Sequence, residues 1–132
     1  MLSEKDSDAA RRCFDVDCLR SRRLASVFGR PFCGGVFLVH RQRYIQCGGE
    51  NERFTGWGPE DAERLRRVAI LGHSVKWTTS GQAYHLHHSR EKNSDFHTDD
   101  DAVRLRKELV KVCGMDKGEL MNYITEKTWK QQ

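Results

Sequence analysis

The sequence predicts a compact α/β unit closed by a helical tail, and three features carry that expectation. Gly34 to His40 is an apolar run entered through two glycines, the pattern of a buried strand. Ala62, Leu65, Val68, Ala69 and Gly72 recur at helical spacing behind Pro59, with Glu63, Arg64, Arg66 and Arg67 between them. That predicts an amphipathic helix from Pro59 to Leu71, with Pro59 at the first helical position. Asp99 to Asp101 then supply caps and dipole-matched acids for a further helix whose apolar face is Ala102, Leu105, Leu109 and Val112.

The remaining elements follow in chain order. Residues 1–30 form a polar segment with no strand-like run; Leu19, Leu24, Val27 and Phe28 suit one face of a short helix ending near Gly29, before a break at Arg30-Pro31. Arg41 to Gln46 reads as a short helical turn closed by Gly48-Gly49. Ser74 to Thr78 and Gln82 to His88 read as two short strands around a Ser80-Gly81 turn. After a polar loop from Ser89 to Thr98 comes the helix behind Asp99, stopped at Gly114. A last segment carries Leu120, Met121, Ile124 and Trp129 at helical spacing. The expected organisation is a polar segment 1–30, a main segment 31–98 and a helical tail 99–132 packed on the same domain.

Composition narrows the function. A chain of 132 residues suits one domain with a modest core. The net charge is +4, with Arg and Lys interleaved among acids, which argues against a nucleic-acid partner. No apolar run is long enough to span a membrane, and the N-terminus is too acidic and polar for a signal peptide, so a cytoplasmic location is expected. Cys13, Cys18, Cys33, Cys47 and Cys113 are odd in number and match no common zinc spacing. Free thiols are expected, with a Cys33–Cys47 bridge the one pairing left open.

Three groups of residues can carry chemistry. In Phe54-Thr55-Gly56-Trp57-Gly58-Pro59-Glu60-Asp61, two carboxylates open a helix beside an aromatic ring. They either stabilise the helix start or bind and deprotonate a hydroxyl, while Trp57 either fills a core or offers a flat face to a sugar. Consecutive helical residues diverge by about 100°, so Glu60 and Asp61 cannot share a proton and must divide their tasks. His85, His87 and His88 are either a solvated cluster or a metal site. In a regular strand His85 and His87 share a face while His88 lies opposite, so a joint role for His85 and His88 requires the strand to end or bend near Leu86 and His87. Gly34 and Gly35 mark either a tight turn into the strand or a close approach of backbone to ligand.

The order Gly34-Gly35-Val36-Phe37-Leu38-Val39, Gly48-Gly49, the octet from Phe54 to Asp61, and then Tyr84-His85-Leu86-His87-His88-Ser89-Arg90-Glu91-Lys92-Asn93 resembles the C-terminal half of the β-1,4-galactosyltransferase family and related bacterial glycosyltransferases. The resemblance spans roughly residues 32 to 96. It implies the C-terminal, acceptor-side half of a GT-A nucleotide-sugar transferase fold, with a helical C-terminal tail. It further implies inverting, metal-dependent transfer of a hexose, galactose or N-acetylhexosamine, from a UDP-sugar donor to a glycan acceptor hydroxyl.

By the same resemblance Asp61 is the catalytic base and Glu60 orients the acceptor. Trp57, Gly34, Gly35, Ser89 and Arg90 bind substrate, with Arg90 toward the donor diphosphate. His88 is a metal ligand, His85 a softer secondary one, and the family suggests Mn2+. Asp17, in Asp15-Val16-Asp17, sits where the GT-A fold places an acidic metal motif, although Ala10 to Phe14 supply no strand before it. The family usually has Gly at the position of Pro59 and often an acid at that of Ala62. Little chain precedes Gly34 to cradle uridine, so a separate nucleotide-binding subunit enters the partners considered. The alternative is a non-catalytic carbohydrate-binding or subunit module; a small zinc-binding domain, lacking Cys-x-x-Cys pairs, is weaker.

Overall fold

The computed structural model describes residues 2–13, 19, 36–80, 83–89 and 95–126. They fall into two units, one from 1–35 with 77–89 and the other from 36–76 with 90–132.

In the first unit, helix α1 (Glu4–Cys13) forms within the segment expected to be merely polar. Ser3 starts it: its hydroxyl accepts the Asp6 N–H at 3.1 Å and donates to the Asp6 carboxylate at 2.7 Å. Leu2, Ala10 and Leu19 bury together against Tyr84. Of the strand expected at Gln82 to His88, residues 83–88 are described; among the described residues they form no ladder and are held by α1 and Leu2 instead. Leu2 N–H donates to the His85 carbonyl at 2.9 Å, His87 N–H to Ser7 Oγ at 2.6 Å, and Arg11 to the His87 carbonyl at 2.8 Å. The expected helical face at Leu24, Val27 and Phe28, and Trp129, lie outside the described residues.

The second unit contains α2 (Arg41–Gln46), α3 (Glu60–Ile70), α4 (Asp99–Cys113) and α5 (Lys117–Thr125), with α3 packed on α4 and α5. Cys47, Leu71, Val112, Leu120, Tyr123 and Ile124 form its core. Both α2 and α3 end in glycines of positive φ that let the chain fold back on the last turn. Gly48 and Gly49 return N–H groups to Ile45 and Tyr44 after α2, and Gly72 and His73 return theirs to Ala69 and Val68 after α3. The α4 face runs as expected through Ala102, Leu105 and Val112, but its cap is Thr98, which accepts the Asp101 N–H, rather than an aspartate. Asp116 and Glu119 close a reciprocal capping box on α5.

Two expectations need correction here. Pro59 is the N-cap of α3, so Glu60 is its first residue. The buried side of α3 is also only partly the apolar stripe: Val68 packs half-buried on the core, but Glu63 and Arg67 are the buried residues at 1% and 2% exposure, and Ala62 and Ala69 face outward. The charges are tolerated because each is matched. Glu63 accepts from Arg67 Nε at 2.9 Å and Nη2 at 3.2 Å, and Arg67 also donates to the carbonyls of Cys47 and Gly49. One guanidinium thus ties α3 to the closing turn of α2.

No strand occurs among the described residues. The expected strand at Gly34 to His40 is described from Val36 onward, where Val36 and Leu38 are 83% and 102% exposed. An apolar run becomes a strand only when a neighbouring strand takes its N–H and C=O groups, and no described segment does so. The described residues are therefore helical, and the α/β expectation has no ladder among them. No described helix is long and apolar enough to cross a membrane.

Candidate functional site

The octet from Phe54 to Asp61 leads into α3. Gly56 adopts φ +77°, the left-handed region that favours glycine, and a Cβ there would lie 3.1 Å from the exposed His97 ring, a tight contact the ring would have to relieve by shifting. Trp57, 46% exposed, meets Phe96 edge-to-face at 4.8 Å between centroids. Its ring is thus braced by Phe96 and remains about half exposed. Arg106 lies over the Phe96 ring at 5.0 Å. A Cβ on Gly58 would stand 3.0 Å from Leu105 Cδ1, 3.5 Å from Glu60 Oε2 and 3.6 Å from Phe54 Cδ1. The bare glycine keeps that small space open.

Glu60 and Asp61 diverge as their adjacency on a helix requires. Glu60 Oε2 is buried and has no hydrogen-bond partner. Burial pushes the Glu60 carboxyl up from its ordinary value and the neighbouring Asp61 charge adds to this, against backbone N–H groups and Arg64. Asp61 turns instead to Arg64, accepting its Nη1 at 2.7 Å. The same guanidinium reaches Glu50 at 2.8 Å and stacks over Phe37 at 4.4 Å. Tyr44 donates its hydroxyl to Glu50. Burial works to raise the Glu50 carboxyl, but hydrogen bonds from Arg64 and Tyr44 outweigh it and hold the group below its ordinary value. The phenol of Tyr44 is pushed up to about 12, by burial first and then by Glu50.

In the other unit, His85 and His88 come together because 83–89 is not a regular strand. Their Nε2 atoms are 3.1 Å apart, with the rings inclined by 20°. That is hydrogen-bond distance, one ring donating and the other accepting, and it is also close to the separation of about 3.3 Å between two nitrogens on one tetrahedral cation at about 2.0–2.1 Å. His88 Nδ1 lies 3.0 Å from the Ser89 carbonyl. A proton on Nδ1 donated there leaves the Nε2 lone pair facing His85 Nε2, the orientation a ligating histidine also uses. Among the described residues no third His, Cys, Asp or Glu completes a metal group.

Asp17, Gly34, Gly35 and Arg90 lie outside the described residues; Ser89 is described and exposed. Cys47 is a buried free thiol rather than half of a bridge, and burial raises its pKa. Sequence reasoning missed Arg64, Phe96, His97 and Leu105, which shape the octet's surroundings. Arg64 had one readable signal, its three-residue spacing from Asp61 on a helix; the other three come from residues 96–105, too distant in sequence to suggest contact.

A family model described as the N-terminal domain of galactosyltransferase matches residues 23–89. Human β-1,4-galactosyltransferase 7 is 44% identical over 43 residues, covering 33% of this chain and 13% of that protein. The Drosophila melanogaster β-1,4-galactosyltransferase 7 is 30% identical over 70 residues, 48% of this chain and 22% of that one. Bovine β-1,4-galactosyltransferase 1 is 30% identical over 66 residues, 48% of this chain and 16% of that one. The chain therefore matches less than a quarter of the length of these relatives. The matched domain is described as N-terminal, so the expected placement in a C-terminal half finds no support there. No solved structure matches the chain.

Proposed function

Since the chain belongs to the galactosyltransferase family, we propose that it takes part in transfer of a hexose from a UDP-sugar to a glycan hydroxyl, with the octet from Phe54 to Asp61 holding the acceptor. The observation that carries this is Glu60 Oε2, a buried oxygen with no partner, three residues along the chain from the half-exposed ring of Trp57. A sugar supplies what such a place lacks: a hydroxyl for the carboxylate and an apolar C–H face for the indole.

In this reading Glu60 accepts one acceptor hydroxyl and orients the ring. Asp61, held by Arg64, takes the proton of the attacking hydroxyl as its oxygen bonds to the anomeric carbon. The bond from that carbon to the diphosphate breaks on the opposite face, its electron pair leaves with UDP, and the configuration inverts. The whole enzyme would have the α/β GT-A architecture, with 36–40 a strand once a neighbouring strand is supplied, either elsewhere in the polypeptide or by a separate nucleotide-binding subunit. His85 and His88 are the described residues that would hold a divalent cation, Mn2+ in this proposal, with Asp17 a third candidate. Such an ion supplies Lewis-acid stabilisation of the departing diphosphate. Ser89 and Arg90 are assigned to binding the donor diphosphate, and Gly34 and Gly35 to binding the sugar, on the family resemblance alone.

A second assignment of roles is favoured by one observation: Glu60 has the free oxygen and the raised pKa, both suited to a base, whereas Asp61 is ion-paired. Transfer assays separate the two. If Asp61 is the base, Asp61→Asn abolishes turnover while Glu60→Gln mainly raises acceptor KM; the reverse pattern gives the base role to Glu60. Calorimetry with UDP, with and without Mn2+, tests the donor side. Metal-dependent binding lost in His88→Ala supports transfer. Glycan binding without any UDP binding supports a carbohydrate-binding module instead.

A further inference from the structure

The outer side of α4 carries a feature that hexosyl transfer leaves unused. A groove of about 460 Å3 is lined by Arg53, Asp100, Val103, Arg104, Lys107, Lys111 and Glu108. A second, of about 500 Å3, shares Val103, Lys107 and Lys111 and continues to Arg106 and Val110. Val103 and Val110 are exposed, two turns apart on one helix, with Lys107 between them. The strip thus alternates methyl groups with ammonium and guanidinium groups. It leads toward the octet, because Arg104 donates to the Arg53 carbonyl at 3.0 Å and to Thr55 Oγ1 at 3.2 Å, two residues before Trp57.

We propose that this strip binds an acidic glycan, one whose sugars bear carboxylate or sulfate groups, as an extension of the acceptor site. The inference rests on the reading of the octet as an acceptor site and names the class of acceptor. Pyranose rings present apolar C–H faces to Val103 and Val110, acidic substituents to Lys107, Lys111 and Arg106, and hydroxyl donors to Asp100. Arg104, fixed by Asp101 at 3.0 Å and by two oxygens of the octet's approach, forms the junction. Nucleic acid fits worse. Single-strand binding needs open aromatic faces for the bases, and Tyr123, 7% exposed, already has the groove residues Arg53 and Lys111 over its ring at 5.7 and 4.8 Å. An anionic membrane would meet Asp99, Asp100 and Asp101 at the start of the same helix.

The test is a calorimetric titration of the whole chain, without UDP or metal, using a sulfated, uronate-containing tetrasaccharide. Its desulfated, carboxyl-reduced analogue, a single-stranded oligonucleotide of equal charge and anionic vesicles serve as comparisons. Salt-sensitive binding of the acidic tetrasaccharide alone is expected, weakened about tenfold or more by Lys107→Glu with Lys111→Glu. Lys107→Arg and Lys117→Glu should bind as the parent does, and circular dichroism confirms that all variants fold. No binding at millimolar tetrasaccharide, equal binding of the neutral analogue, oligonucleotide or vesicles, or indifference to the charge reversal overturns the proposal. Because donor and metal are absent, these outcomes are independent of whether sugar transfer itself occurs.

Discussion

Arg67, with 2% of its surface exposed, sits on the 1%-exposed Glu63 and on two carbonyl oxygens, so neither charge has water to fall back on. Arg67→Met leaves the Glu63 carboxylate buried and uncompensated, and should lower unfolding free energy in urea by about 3–5 kcal/mol. Adding Glu63→Leu should recover much of that loss, which a double-mutant cycle measures directly. Glu60 is the opposite case, a carboxyl whose folded pKa is raised chiefly by burial. A raised carboxyl contributes stability that is complete below the unfolded value, about 4.3, and is lost as pH rises through the folded one. Glu60→Gln should therefore melt higher than the parent at pH 7 and equal to it near pH 3. The divergence of Glu60 from Asp61 was legible from adjacency on a helix. The burial of Glu63 and Arg67 was not, because charge reads as surface until a four-residue spacing and two free carbonyls are found to satisfy it.

Elements that end on themselves were readable, and those that need a distant partner were not. The glycines closing α2 and α3 and the start of α4 follow from local rules, since caps and return bonds span only a few residues. The run at 36–39 carries strand chemistry, but its state depends on a neighbour that no local pattern specifies. The difference between two helix-closing glycines is testable. Gly72 has φ +90° and open space around a Cβ, so Gly72→Ala should cost about 1 kcal/mol, all of it backbone. Gly114 has φ −86° and ordinary contacts around its Cβ, so Gly114→Ala should be neutral or slightly stabilising. Equal losses in denaturant melts would mean that packing, rather than left-handed backbone, sets the cost at Gly72.

At the scale of the whole molecule, the family was legible because separate motifs stood in order along the chain, although no single one decides it. The surroundings of the octet were hidden for a related reason: Phe96, His97 and Leu105 reach it from α4 and its approach, beyond the residues the family model matches. The histidine pair shows how backbone path overrides periodicity. Alternation in a strand would put His85 and His88 on opposite faces, yet bonds from Leu2, Ser7 and Arg11 hold the segment on α1, with the two Nε2 atoms 3.1 Å apart. If that spacing is a bite for one cation, a divalent metal should bind the whole chain in a 1:1 ratio. His85→Ala and His88→Ala should each weaken binding by at least about tenfold. His87→Ala should not, because its side chain is not part of the pair. Ser7→Ala is the sharper variant, since it touches no metal and removes the 2.6 Å bond that shapes the segment, along with a 2.9 Å bond from the Ser7 hydroxyl to the Ser3 carbonyl within the start of α1. Weakened metal binding in Ser7→Ala with α-helical content unchanged would show that α1 sets the histidine geometry. Parent-like binding in Ser7→Ala would mean the pair forms without that support.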